Sequence, residues 1–293
     1  MRQSPISEDV VTGKTSINNT YRKLHILTPQ RTTKNMKTPY AVVTGASRGL
    51  GKELVKALAE RGISSIMVGT NENVGIVCAE INANHGVQCV SLMANLCQKE
   101  EVLALAEKIN SKYEVFMLVN NAGMGGSRSF LEADVDYLDR IIQLNDRATA
   151  LLTHELLPNL LRREHAYILN IGSMAAYTAT GYKTVYPASK AFLRHFSLGL
   201  REELKGTAVS VSIASPGAMA TNPEVSARIE KQGFFGRLTL KSTKNIAHKC
   251  IRQTLRGKKH IIINPLSYFF SSIIPGCIMN PIMTRIVRRE VNR

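Results

Sequence analysis

Apolar residues recur along this chain in two alternating rhythms. Short apolar runs at 40–44, 63–68, 87–92, 115–119, 166–171, 209–213 and 260–263 read as buried strands. Between them lie segments whose apolar positions fall three and four apart, the spacing of one helix face. These segments fall near 50–58, 71–84, 98–111, 134–158, 186–204 and 244–256. Gly206 and Gly257 mark helix ends, and Pro158 with Arg162 and Arg163 closes the 134–158 segment. Strands alternating with helices predict an α/β fold, a parallel sheet covered on both faces. Right-handed crossovers then put the first strand–helix turn at the switch point of the sheet.

Three stretches stand outside that rhythm. Residues 1–35 are polar and lack a sustained apolar period, which predicts a disordered or loosely attached segment. The folded part is expected to begin near Met36, with a targeting peptide as the rival reading of what precedes it. Residues 218–243 have little pattern, and a connection this long inside a domain suits a binding loop or lid. Residues 265–291 run past the last strand, with Phe269, Phe270, Ile273, Ile274, Ile278 and Ile282 broken by Pro275 and Pro281. Three parts are therefore expected: 1–36, a single domain over 37–264, and an apolar, basic-ended extension over 265–293.

At 293 residues, 44% of them hydrophobic, the chain can bury a sizeable core. Its 38 Lys and Arg against 22 acids give a net charge of +16. Part of that excess is terminal. Residues 1–35 carry six basic and two acidic side chains, and residues 285–293 carry four and one. No basic stripe interleaves with aromatics, so nucleic acid is not expected as a partner. Five cysteines, odd in number and without a C-x-x-C, argue against a disulfide framework and against a zinc site. A reducing, cytoplasmic setting fits them. No metal is expected.

The run Thr44-Gly45-Ala46-Ser47-Arg48-Gly49-Leu50-Gly51 joins the first strand to the first helix. Backbone N–H groups converge at such a turn, and the helix dipole favours a pyrophosphate. A plain glycine loop is the alternative. The second strand ends at Gly69-Thr70-Asn71, where an NAD site places an acid for the ribose 2′-hydroxyl. No acid stands there, and Arg48 lies inside the turn. That pair of facts favours NADP(H) over NAD(H), unless Arg48 is only a solvated surface charge. Asn120-Asn121-Ala122-Gly123 follows the fourth strand, either letting backbone approach a nucleotide or simply forming a turn.

Ser173 ends an apolar strand run, and Tyr186 and Lys190 stand four residues apart on one helix face. A ketone accepting hydride develops negative charge on oxygen and needs a proton donor and a second donor in reach. Tyr186 suits the acid. Lys190 would lower its ordinary pKa of ~10. Ser173 would hold the substrate oxygen. Asn145 interrupts an apolar helical stripe and needs a task. It either bonds a neighbouring backbone group or positions a water that links Lys190 to solvent.

Together these motifs resemble the short-chain dehydrogenase/reductase family over roughly residues 38–265. The glycine turn is similar to the family's cofactor turn, and Asn120-Asn121-Ala122-Gly123 to its second signature. Asn145, Ser173, Tyr186 and Lys190 fit its catalytic tetrad, with thirteen positions from Ser173 to Tyr186. Ser215-Pro216-Gly217 and Thr221 resemble the segment at the nicotinamide end. The resemblance implies a Rossmann-type single domain and a bond from Lys190 to the nicotinamide ribose. It also implies a homodimer or homotetramer built on the helices near 134–158 and 186–205. The family commonly has an Asp facing the adenine after strand three; here the run is Ala94-Asn95-Leu96. Asn95 can still accept and donate there. The tail resembles those of members acting on acyl or steroid-like substrates, which implies an apolar ketone or alcohol. It would cover an apolar pocket, lie on an anionic bilayer, or pack on its own domain or at a dimer interface.

Overall fold

A computed structural model describes residues 39–217, 219 and 242–291. Residues 1–38, most of the 218–243 connection and Thr221 lie outside the described residues. Seven parallel strands form one sheet in the order β3-β2-β1-β4-β5-β6-β7. They are β1 Tyr40–Thr44, β2 Ser65–Gly69, β3 Val90–Met93, β4 Val115–Asn120, β5 Ala166–Ile171, β6 Val209–Ser215 and β7 His260–Ile262. The helices between them are α1 Gly49–Ala59, α2 Asn73–His85, α3 Lys99–Lys112, α4 Val135–Ile142, α5 Ala148–Leu161, α6 Val185–Glu203 and α7 Thr243–Thr254. The order reverses between β1 and β4, so the crevice at that switch point lies beside the glycine turn.

Strand geometry explains why both faces need cover. Side chains alternate across a strand, so Ala41 and Val43 enter one core while Val42 enters the other. The first core takes Leu50, Leu54 and Leu58 of α1 with Ile246 and Ile251 of α7. The second takes Leu105 and Ile109 of α3 with Leu152 and Leu156 of α5. Removing one such fully buried leucine typically costs about 2–5 kcal/mol.

Several described elements depart from expectation. The second strand is Ser65–Gly69 rather than 63–68, because Ile63 caps α1 by donating its N–H to the Leu58 carbonyl. The single helix expected over 134–158 is α4, a π-helical turn at Gln143–Arg147, and α5. Pro158 lies inside α5, which runs on to Leu161. Between β5 and α6, a 3-10 turn covers Met174–Tyr177.

The tail forms two more helices, α8 Pro265–Ile273 and α9 Gly276–Val291. Asn264 caps α8 by accepting from the Ser267 N–H, with Pro265 in the first turn. Pro275 separates the two helices as expected, but Pro281 is accommodated inside α9. No described helix is long and apolar enough to cross a membrane.

Candidate active site

The glycine turn is built for something larger than a turn. Gly45 and Gly49 hold φ of 64° and 55°, a region that L side chains rarely adopt. A Cβ on Gly51 would stand 2.0 Å from the Gly45 carbonyl oxygen. Gly51 therefore lets the first turn of α1 close onto the loop. Arg48 at the N-terminus of α1 makes no side-chain cap, and the first turn holds no acid. Uncapped N–H groups and an uncompensated dipole fit a pyrophosphate.

Asn121 and Thr44 lock this turn to the end of β4. The Thr44 hydroxyl accepts from the N–H groups of Asn121 and Ala122, each at 3.0 Å. The Asn121 amide donates back to the Thr44 and Gly45 carbonyls at 2.9 and 3.2 Å. Ser47 joins from the other side, its carbonyl accepting from Asn73 Nδ2 at 2.9 Å. That contact brings the loop after β2, with exposed Thr70, beside exposed Arg48. Asn95 is exposed and Leu96 buried. Asn95 Oδ1 accepts from the Cys97 N–H at 3.1 Å.

Ser173, Tyr186, Lys190 and Asn145 converge next to that cradle. Ser173 follows β5, and its oxygen accepts from the Ala175 N–H at 3.1 Å. Pro216, after β6, anchors the same turn by accepting from the Met174 N–H at 2.9 Å. Tyr186 and Lys190 lie on α6, with Lys190 Nζ 5.8 Å from the Tyr186 ring centroid. Lys190 is buried and donates to the Ile171 carbonyl at 3.1 Å. Gly123 keeps this space open, since its Cβ would stand 3.4 Å from Lys190 Nζ and 3.1 Å from Asn145 Oδ1.

Asn145 sits in the π-helical turn and is fully buried. Its oxygen accepts from the Met124 N–H, and its amide donates to the Met124 carbonyl and to Ser189 Oγ, all at 2.9 Å. Its side chain thus bonds a neighbouring backbone group, one of its two expected tasks. Ser189 in turn donates to the Tyr186 carbonyl at 2.8 Å. Asn145 thus ties the loop after β4 to the helix carrying the phenol.

The electrostatics differ from expectation in one respect. Burial is the largest influence on Tyr186 and raises its pKa, and the Ser173 hydroxyl beside it pulls the other way. Burial also brings Lys190 down to about 8, opposed by the charge of Asp146. Asp146 itself is pushed up to about 6 by burial, with Lys190 opposing. Before any ligand binds, the phenol is therefore held protonated, ready to act as an acid.

Several contributors escaped the sequence. A buried network runs from Asn120 Nδ2 to Thr153 Oγ1 and Asn170 Oδ1, then from Asn170 Nδ2 to Ser197 Oγ at 2.8 Å. It fastens β4 and β5 to α5 and α6, and so sets where Tyr186 stands. Asn170 was visible as a polar residue inside an apolar strand, a signal that could have found it. A shallow cleft opens beside Tyr186, lined by Arg128, Phe130, Tyr137, Ile141, Tyr182 and Val185 among others. Tyr182 holds φ of 61°, a strained value for a non-glycine residue on a loop between Ser173 and Tyr186. Among the described residues no group of His, Cys, Asp and Glu could hold a metal ion.

Comparison with known proteins agrees with this geometry. Residues 39–232 match the family described as short chain dehydrogenase. A very-long-chain 3-oxoacyl-CoA reductase of Anas platyrhynchos is 33% identical over 202 residues, covering 67% of this chain and 63% of that protein. The 3-oxoacyl-(acyl-carrier-protein) reductase of Escherichia coli (strain K12) is 30% identical over 189 residues, 64% of this chain and 76% of that one. A short-chain dehydrogenase from Sphingobium yanoikuyae, solved in complex with NADPH, superimposes with a TM-score of 0.69 at 26% identity, covering 76% of this chain and 87% of that one. The chain belongs to the short-chain dehydrogenase family of oxidoreductases.

Proposed function

We propose that the protein moves hydride between NADP(H) and an apolar ketone or secondary alcohol. The observation that carries this reading is the convergence of Ser173, Tyr186 and Lys190 beside an uncapped helix N-terminus cradled by glycines. When bound, the dinucleotide supplies or accepts the hydride.

In the reducing direction the carbonyl carbon gains the hydride and the C–O π bond opens onto oxygen. That oxygen takes the phenolic proton of Tyr186, while the Ser173 hydroxyl donates to it. Charge that develops on the phenolate is offset by Lys190. Tyr186 regains its proton from solvent, and the ketone leaves as an alcohol. Gly45, Ser47, Gly49, Leu50 and Gly51 would hold the pyrophosphate. Thr70, Asn95, Leu96, Asn121, Ala122 and Gly123 would line the adenosine side. Pro216 and Gly217 would lie at the nicotinamide end, where Lys190 would bond the ribose.

Arg48 and the lack of an acid after β2 support NADP(H) over NAD(H). The 3-oxoacyl reductases among its relatives, and the apolar tail, support a lipid-like substrate such as a 3-oxoacyl, steroid or sphingoid-type ketone. Five free cysteines suit a reducing cytoplasm. Half-exposed Phe192, stacked on Phe196 along α6, supports a homodimer or homotetramer through that helix.

A panel of these ketones with NADPH and with NADH tests the reading. Consumption of NADPH on at least one apolar ketone is expected. Tight NADPH binding with no consumption across the panel would instead favour a cofactor-binding regulatory protein.

A further inference from the structure

The helix pair α8–α9 has two unlike faces. One face grips the loops around the active site. Thr284 Oγ1 accepts from the Gly181 N–H at 2.9 Å, and Tyr268 packs edge-on against Tyr177 with ring centroids 5.3 Å apart. Glu290, its side chain 1% exposed, accepts from Ser127 Oγ at 2.6 Å and lies 3.6 Å from Lys183 Nζ. Thr284, Val287 and Val291 mark that side of α9, at the spacing of a single helix face.

The other face is apolar and open. Leu266, Phe269, Phe270 and Ile273 follow the same face of α8 at steps of three and four, each about half exposed. Ile278 and Ile282 continue the pattern on α9 and are equally exposed. Six of the thirteen exposed large hydrophobics among the described residues thus fall between Leu266 and Ile282. Clustering of this kind marks an interaction surface, whereas scattered exposure would not. No charged side chain occurs anywhere over 261–284.

Charge then selects the partner. The stripe of Ile278 and Ile282 runs on into Arg285 and Arg289, all exposed, with Arg288 exposed beside them. An interfacial helix lies along the bilayer with its apolar face buried and its basic side chains at the headgroups. The segment offers no exposed carboxylate, because its one acid, Glu290, is turned inward. A second copy of this face would bring no exposed carboxylate to pair with these arginines. Anionic headgroups would neutralise them.

We propose that the outer face of α8 and α9 docks this protein on a bilayer containing anionic phospholipid. The inference rests on the tail alone and stands apart from the reductase reading. It also places a lipid surface against the helices that grip the Tyr177–Tyr186 loop, where an apolar ketone would arrive.

Vesicle sedimentation of the full chain tests it, with phosphatidylcholine alone and with phosphatidylglycerol added. Binding is expected to the mixed vesicles and to fall as salt rises. A Phe269→Ser, Phe270→Ser, Ile273→Ser variant should reduce it by about tenfold or more, as should an Arg285→Gln, Arg288→Gln, Arg289→Gln variant. Both sets alter exposed positions, and an unchanged melting temperature will show that each variant folds. Equal binding to both vesicle types, or binding that neither variant weakens, would overturn the proposal. So would a chain that stays in solution but forms a dimer that the Phe and Ile substitutions dissociate.

Discussion

Gly125 lies against the ring of Tyr186: a Cβ built on it would stand 2.4 Å from Tyr186 Cδ2 and 2.8 Å from Cε2. The backbone of the loop after β4 is thus one wall of the phenol's seat. Any side chain at 125 must push the ring away or shift the loop. Gly125→Ala is expected to lower kcat/KM for a small ketone by about 10–100-fold, since misplacement of about 1 Å costs that much. Steady-state kinetics alongside a melting curve checks it. An unchanged rate would show that Tyr186 tolerates displacement.

The pH dependence follows from Lys190. Its pKa is lowered to about 8, so it is charged below that pH and neutral above. Tyr186 is raised and remains a protonated donor through the same range. Ketone reduction should therefore hold steady at neutral pH and fall as pH climbs through about 8. The Asp146 charge raises Lys190. Asp146→Asn removes that support and should move the falling limb to lower pH. A pH profile of kcat/KM for both proteins reads the shift.

Arg48 stands exposed at the head of α1, next to the loop after β2 that Asn73 binds to the Ser47 carbonyl. A guanidinium there can pair with a ribose 2′-phosphate but has nothing comparable to offer a 2′-hydroxyl. Arg48→Ala is expected to raise the Kd for NADPH about tenfold or more and to leave NADH nearly unchanged. Fluorescence titration with each dinucleotide separates the outcomes, and equal losses would remove the assignment.

Glu290 holds α9 to the loops at Ser127 and Lys183. Glu290→Ala removes the acceptor of the Ser127 hydroxyl and the carboxylate facing Lys183, at a cost of about 2 kcal/mol. For a chain of this size that lowers Tm by roughly 4–8 °C. The helix pair should also become easier to cleave by protease. KM for a bulky ketone should rise more than KM for acetone-sized substrates.

The repeating strand–helix rhythm was legible because the central strands are short apolar runs buried on both faces. The glycine turn was legible because Gly45 and Gly49 stand at positive φ and Gly51 at a contact no Cβ could enter. Ser173, Tyr186 and Lys190 were legible as residue types at a spacing. What the sequence hid were contacts made at long range. Asn145 reads as a lone polar residue in a helix, and its partners Met124 and Ser189 lie 21 and 44 positions away. The π-helical turn that carries it leaves no mark in the hydrophobic pattern, which continues on either side. The sign of the Tyr186 shift was also hidden, because burial, the larger influence, depends on how Gly125 and the surrounding loops close around the ring. Pro281 misleads for a related reason: docking of α9 through Thr284 and Glu290 outweighs one lost backbone bond.

Everything proposed for catalysis depends on the phenolic proton of Tyr186. The most direct measurement compares Tyr186→Phe with the unaltered protein, which differ by one oxygen. Stopped-flow absorbance at saturating NADPH and ketone reports the hydride step, and fluorescence reports NADPH binding. The account predicts that the variant still binds NADPH and that its hydride step slows by about 100–10,000-fold. Hydride transfer at an undiminished rate in Tyr186→Phe would contradict it.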